Sequence, residues 1–517
     1  MITAEPARRA DLRRWATLGI VLTSVLIAAL DSTVLNVAIP TILDEFDTTL
    51  TALQWVITGY TLTFAALLII GGRLADIFGP RRMFVIGAAL FGIGSFIASI
   101  STGVPELVVG EAIIEGMGAS LMLPATLGIL STTFTGRERG MAFGAWGGTM
   151  GAAVAFGPLL GGFLTTNYSW RWAFRINVIV VPFAILGALL FMRKVGPTGR
   201  RERIDLPGSL LIATGMLLLV FSISEGAEYG WLRPVQDLVV ADVVVWPAGA
   251  PVSIVAVTAA ASVALLAGFV LLERWKERRD RDPLFEFSQL QIPTFRWGLA
   301  TLVLMAMGQI SFLFVLSVFL QDGLRLSAVE TGLWVVPSGV FIVVGSQVGA
   351  RLTRRIDTTD VVRAGLVLEA AGLGLTAWAV DPSAAFLHLL PGLALFGLGV
   401  GFAASQLTNV VLSGISPERS GAASGANTTV RMIGSSLGIA IISTLLTTFT
   451  DRDGANDPAS AAAAGARPAL LFGTAVVAAG TVLSMWIPHI GSPDDVDEEL
   501  LRVEEESEAL SETWAVQ

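Results

Sequence analysis

Cysteine is absent from the 517 residues, which removes disulfides, thiolate zinc sites and a cysteine nucleophile together. Histidine occurs twice, at His388 and His489, too far apart for the HExxH helix of a zinc hydrolase. The two lysines, Lys194 and Lys276, do not follow a glycine. The GxxxxGK[ST] phosphate loop is therefore excluded, and with it ATP bound in that way. Charged residues make up 15% of the chain, against roughly 25% in an ordinary soluble domain. With 53% hydrophobic residues and a mean hydropathy of +0.71, a soluble enzyme, a disordered chain and a nucleic-acid binder are all excluded. The net charge of −9 belongs to one end: residues 491–517 hold ten acids and one arginine, leaving 32 acids against 32 bases in 1–490.

What the chain has instead is long apolar runs. A helix crossing about 30 Å of hydrocarbon needs roughly 20 apolar residues. Runs of that kind cover 15–39, 52–71, 82–101, 106–130, 139–163, 173–192, 206–223, 252–272, 296–320, 328–350, 360–380, 384–413, 418–447 and 466–487. The first follows Arg8, Arg9, Arg13 and Arg14 like a signal peptide, but it is long and thirteen others follow it. Alternate loops starting from the N-terminus hold 26 of the 33 basic residues, and the opposite loops hold five: Arg171, Arg233, Arg325, Arg452 and Arg467. By the positive-inside rule this predicts fourteen spans with both termini cytoplasmic.

The expected organisation is a cytoplasmic N-terminus (1–14), a six-helix bundle (15–200), two linker helices with a long external loop at 224–251 (201–283), a second six-helix bundle (284–490) and an acidic cytoplasmic tail (491–517). In the external loop, Leu238–Trp246 reads as a short strand or hairpin, with an irregular loop as the alternative. A weak repeat is visible. Gly72-Arg-Leu-Ala-Asp76 ends span 2, and Gly349-Ala-Arg351-Leu-Thr-Arg354-Arg355 ends span 10, each a glycine followed by basic residues.

Charges at bilayer depth cost roughly 2.5–3.5 kcal/mol on insertion scales and mark functional sites or buried pairs. Asp31 lies about 24 Å along span 1 at 1.5 Å per residue. Glu111 and Glu115, four apart, share a face of span 4. Arg431 falls mid-span in span 13, and Glu369 in span 11. Gly434-Ser-Ser-Leu-Gly438 fits GxSxG, but it lies inside an apolar span with no preceding strand and no histidine, so a nucleophile elbow is rejected.

Taken in order along the chain, several motifs resemble those of the major facilitator superfamily, in its fourteen-helix drug:proton antiporter branch. Leu30-Asp31-Ser-Thr-Val-Leu-Asn36-Val-Ala-Ile-Pro40 resembles the branch's first-helix signature, and Gly72 to Arg82 the loop between helices 2 and 3. Gly151 to Gly162, with Gly157-Pro158-Leu-Leu-Gly161-Gly162, resembles the fifth-helix antiporter motif. Trp170-Arg171-Trp172-Ala-Phe-Arg-Ile-Asn177, and Phe319-Leu-Gln321 followed by Val336-Pro337, also match. The fourth-helix Arg-x-x-Gln-Gly departs to Ala112-Ile-Ile-Glu115-Gly116, and Ile77 and Pro80 stand where the family often has basic residues.

The resemblance implies an all-α polytopic membrane protein of two six-helix bundles plus two inserted linker helices, fourteen spans in all. It implies a proton-coupled exporter of amphipathic small molecules, cationic ones among them, that works by alternating access. Asp31, Glu115, Glu111 and Arg431 would couple protons, with Asp31 or Glu115 as the counter-charge of Arg431. A carboxyl that is buried in one conformation and paired or wetted in another takes up and releases a proton. Gly72, Asp76, Gly79, Arg81 and Arg82 would latch the halves, Asp76 at a helix N-terminus of the other bundle. Gly151, Gly157, Pro158, Gly161 and Gly162 would form a hinge and seal. Trp55, Tyr60, Phe64, Trp146, Gln309, Phe312, Gln406 and Asn409 would line a mostly apolar cavity. Protons, membrane lipid and a small-molecule substrate are the expected partners of a monomer in the cell membrane, without nucleic acid, cofactor or metal. Export of an endogenous lipid or metabolite, a polytopic enzyme, and a non-transporting sensor acting through the acidic tail are the alternatives.

Overall fold

Inside a bilayer every backbone N–H and C=O must find its partner within the chain, so long apolar runs fold as helices. The computed structural model describes residues 4–48, 50–193, 205–240, 243–279, 281, 283–416, 419–452 and 458–490. The acidic stretch 491–517 and most of the basic segment Arg193–Arg203 lie outside the described residues. Among the described residues fourteen long helices follow one another: α1 (Ala4–Phe46), α2 (Leu50–Phe78), α3 (Pro80–Ser99), α4 (Val104–Thr133), α5 (Gly136–Asn167), α6 (Trp172–Phe191) and α7 (Leu206–Ser224). Then come α8 (Ile254–Glu277), α9 (Pro293–Gly323), α10 (Ala328–Leu352), α11 (Thr358–Ala379), α12 (Phe386–Ser413), α13 (Ser420–Arg452) and α14 (Pro458–Ser484). Thirteen are long and apolar enough to span a membrane. The other, α5, has the length at 32 residues but carries nine glycines. It is packed by α1 on one side and by α10 and α12 on the other, so protein replaces much of the lipid its composition would otherwise have to satisfy. The protein is a multi-pass membrane protein.

Helix starts follow from local chemistry. Proline opens α3 and α9, where its missing N–H is unneeded. Asp205, Ser253 and Asp357 accept from first-turn amides of α7, α8 and α11, and Ser327 with Glu330 forms a capping box on α10. Gly79, before α3, has φ +90°, a conformation costly for any residue with a Cβ. α1 runs beyond its apolar stretch at both ends, and Arg14 pairs with Glu138 at the start of α5 at 2.7 Å.

The packing repeats. In the first half α1 packs on α5 and α6, α2 on α4, and α3 on α4 and α6; in the second, α9 packs on α13 and α14, α10 on α12, and α11 on α12 and α14. Between halves, α2 meets α13 as α10 meets α5, and α4 meets α13 as α12 meets α5. The linker helices α7 and α8 pair with each other, and α7 lies against both α2 and α13. After α7, β1 (Leu238–Val240) and β2 (Val243–Trp246) form an antiparallel hairpin with a bulge at Leu238/Val239. The hairpin, not the irregular loop, is what those β-branched residues make.

At the end bearing the arginine-rich loops (the basic end) the halves are joined. Asp76 accepts from the amides of Gly421 at 2.6 Å and Ala422 at 2.7 Å, at the start of α13. Gly72 and Gly421 pack backbone to backbone. Arg139 donates to the Leu412 carbonyl at 3.1 Å, and Gln406 to the Gly140 carbonyl at 3.3 Å. Gly144, Gly148 and Gly151 of α5 face Ala350, Ser346 and Ile342 of α10, which lets the backbones approach closely. The repeat is imperfect here: Thr353 sits by Gly140 where Asp76 sits by Gly421.

Candidate functional site

Asp31, Glu111 and Glu115 come together inside the first half. They are 3%, 1% and 0% exposed, and carboxylate oxygens from all three lie within 4.8 Å of one another. Asn177 of α6 donates to Asp31 Oδ1 at 2.9 Å, to Ser95 Oγ at 3.2 Å and to Glu115 Oε1 at 3.3 Å. Ser95 of α3 donates to Glu115 Oε1 at 2.6 Å. Asp31 Oδ2, Glu111 Oε2 and Glu115 Oε2 have no hydrogen-bond partner, and no lysine or arginine among the described residues pairs with the cluster. Three anions at this spacing in a dry site would repel one another, an arrangement suited to sharing protons. An all-oxygen set of this size also accepts a small hard cation.

A local irregularity places the two glutamates. From Val108 to Glu115 α4 winds as a π-helix. The second half shows why. Gly94 of α3 abuts the backbone of Glu115, as Gly372 of α11 abuts that of Phe396. Gly110 packs on Gly94 and Ala98, as Gly392 packs on Gly372 and Thr376. Gly118 meets Phe91, as Gly399 meets Glu369. The two seams match residue for residue, except that Gly110 to Glu115 holds one residue more than Gly392 to Phe396. A wide turn absorbs the insertion. At the matching place the second half has no acids; Phe312 and Phe396 stack there with centroids 3.7 Å apart.

Several expectations need correction. Phe312 is fully buried in that stack and does not line a cavity. Trp55 stacks on Phe221 at 6.2 Å, because α2 carries the linker helix α7 on that face. Trp146 is buried and donates to Thr126 Oγ1 at 3.2 Å, between α5 and α4. Gln406 belongs to the basic-end seam. Arg431 does not meet Asp31 or Glu115: its Nη2 donates to Thr408 Oγ1 at 3.3 Å, and the acid near it is Glu369, within its own half. Arg81 is not a contact between halves; it donates to the Ala188 and Leu189 carbonyls at 3.1 and 2.6 Å. α3 begins where α6 ends, and the guanidinium finds the orphan carbonyls of that last turn. Arg82 is exposed.

Other candidates stay near the centre. Tyr60 stacks with Phe64 at 6.0 Å and lies close enough to feel all three acids. Gln309 lies beside Glu369, and Asn409 is half-buried. Gly157, Gly161 and Gly162 are buried in α5, and Pro158 lies in the same helix. Trp170 and Arg171 form a clasp at the end opposite the basic one, donating to Glu45 at 2.7 and 2.6 Å. Sequence reading missed Ser95 as a partner and saw Asn177 only as the end of a motif.

The sequence profile described as Major Facilitator Superfamily matches residues 21–439. The chain is 34% identical over 449 residues to the "Probable actinorhodin transporter" of Streptomyces coelicolor, covering 84% of this chain and 72% of that one. It is 35% identical to the "Puromycin resistance protein pur8" of Streptomyces alboniger (85% and 83% covered). To the "Multidrug resistance protein Stp" of Mycobacterium tuberculosis H37Rv it is 29% identical (81% and 73%). In fold it resembles the human organic anion transporter MFSD10 (TETRAN), with a TM-score of 0.61 at 13% identity, over 91% of this chain and 99% of that one.

Proposed function

The chain belongs to the Major Facilitator Superfamily of membrane transporters, and we propose that within it this protein is a proton-coupled exporter of amphipathic small molecules. The observation that carries the reading is the closed set of Asp31, Glu111 and Glu115, three buried carboxyls with which no lysine or arginine among the described residues forms an ion pair. An external proton neutralises the set and releases substrate outward; loss of a proton inward restores the charge and recaptures substrate. The relatives named for puromycin resistance, multidrug resistance and actinorhodin transport support a substrate drawn from antibiotic-like compounds. A cationic group on the substrate suits an acidic site lacking a base.

The basic end is taken as cytoplasmic, with both termini there, because the arginine-rich loops favour that side. Asp76 then latches the halves on the cytoplasmic side, and the seam of Gly144, Gly148 and Gly151 against α10 seals it. Opening inward breaks those contacts, and the two six-helix halves rock about the central cluster. The helix bounds support division into bundles near 15–200 and 284–490 around the linker pair. The working unit is taken as one chain in the cell membrane, surrounded by lipid.

The test is efflux from everted vesicles under an imposed pH gradient, with cationic, neutral and lipid-like compounds. Asp31→Asn should sharply reduce proton-driven transport, while substrate counterflow persists. Replacing sodium with choline should change nothing. Undiminished proton-driven efflux by Asp31→Asn, or a strict sodium requirement, would overturn the assignment.

A further inference from the structure

Among the described residues, Glu369 is the one buried carboxyl outside the three-acid cluster whose oxygens make no well-formed hydrogen bond, and the cycle described above gives it no part. Glu369 of α11 is fully buried. Neither of its oxygens makes a well-formed hydrogen bond, nor does Nε2 of Gln309 on α9, although that amide lies close enough to act on the carboxyl. Arg431 of α13 is near enough to act on its charge but makes no ion pair with it; its recorded hydrogen bond goes to Thr408 of α12. The other charged groups on neighbouring elements are engaged at helix ends. Arg363 pairs with Asp360 at 2.7 Å and donates to the Ile487 carbonyl at 3.0 Å, both at the basic end. Arg467 of α14 donates to the Val380 carbonyl at 2.9 Å, past the opposite end of α11.

We propose that Glu369 is a second proton-carrying group, in the C-terminal half, and that Arg431 is the cation its carboxylate turns to when the proton leaves. This rests on the reading of the protein as proton-coupled. A buried carboxylate that makes no well-formed hydrogen bond and has no contact ion is strongly disfavoured, whereas a neutral carboxyl in the same place needs far less. The arrangement seen is the one that suits the neutral acid. Deprotonation sends the proton to water and leaves an anion beside a guanidinium whose bond to Thr408 is long at 3.3 Å. Turning the guanidinium to the anion supplies the missing donors. Gly399 packs α12 directly on the Glu369 backbone, so the change falls on side chains and not on the helix. Glu369 is also no copy of the first cluster: the matching seam has Phe91 at its position. The site is therefore a separate acquisition of the second half.

The experiment is a proton count in reconstituted vesicles: protons moved per substrate, and the substrate gradient reached at set voltage and pH difference. Wild type, Glu369→Gln, Glu369→Asp and Glu369→Gln/Arg431→Gln are compared. Glu369→Gln should fold and show counterflow, but carry about one proton fewer. At 100 mV the attainable substrate gradient should fall about 50-fold for that lost charge, and Glu369→Asp should restore it in part. An unchanged count with wild-type gradients overturns the proposal. So does a Glu369→Gln that fails to fold while the double variant folds, since Glu369 is then half of a fixed ion pair. If wild type itself moves no protons, the proposed function fails instead, and the two failures are distinguishable.

Discussion

Single side chains do two kinds of work in this protein, and Asp205 shows the structural kind. It caps α7 through the Gly208 amide at 3.0 Å and pairs with Lys276, which also bonds Glu273 at 3.0 Å. Burial pushes the Asp205 carboxyl up, but its hydrogen bond with Glu273, the Lys276 ammonium and the Gly208 amide outweigh burial and hold it below the usual range. A depressed folded value adds stability above the unfolded value of about 3.9 and loses it as pH falls through the folded one. Thermal stability in detergent should therefore decline below about pH 4. Asp205→Ala should cost about 1–2 kcal/mol at pH 7 and flatten that decline, while Asp205→Asn should keep the cap and lose only the charge contribution. A decline equally steep in Asp205→Ala would show the acid sensitivity lies elsewhere. Asp31, Glu111 and Glu115 could be singled out from sequence because charge is rare in apolar runs. Ser95 and Asn177 could not: uncharged polar residues are common there, and only the fold says which of them reach an acid. Arg431 and Glu369 were visible for the same reason as the acids, but their proximity was not, since they lie on different helices of the same half.

At the scale of elements, span positions follow from bilayer thickness, and each long run falls on a helix, although α1, α2 and α14 extend well past their apolar stretches. The π turn in α4 did not announce itself. Its signature is one residue too many between Gly110 and Glu115 relative to Gly392 and Phe396, and that spacing has meaning only once the two glycine seams are superposed. α12 demonstrates that the seam closes with the shorter spacing. Deleting Ile113, which is exposed on the outer surface of α4, should thus leave a folded protein with a thermal midpoint close to wild type. It should also misalign Glu111 with Glu115 and cut proton-driven efflux by at least about tenfold. Wild-type efflux from the deletion variant would show that the wide turn has no part in holding the acids.

For the molecule as a whole, the order of spans and the charge bias of the loops were readable, whereas the helix pairing was not, since it depends on which small residues allow close approach. The halves are held at the basic end by charge-assisted hydrogen bonds that Asp76 accepts from the Gly421 and Ala422 amides and by glycine seams, not by interlocked bulky side chains, so separation requires little repacking. Because the protein contains no cysteine, a single reporter is clean. Ser405→Cys lies in the seam against Gly147 and should be protected from a water-soluble thiol reagent. Adding Asp76→Asn should raise its labelling rate about tenfold, the effect of weakening one charge-assisted contact. Equal rates would mean Asp76 does not bias the opening. The linker pair bears on a different question, the route a greasy solute takes. α7 rests on both α2 and α13, so two additional helices shutter one of the two lipid-facing clefts between the halves. A compound dissolved in the bilayer would have to approach from the opposite flank, where α5 and α10 cross, which gives the transporter a front and a back within the plane of the membrane.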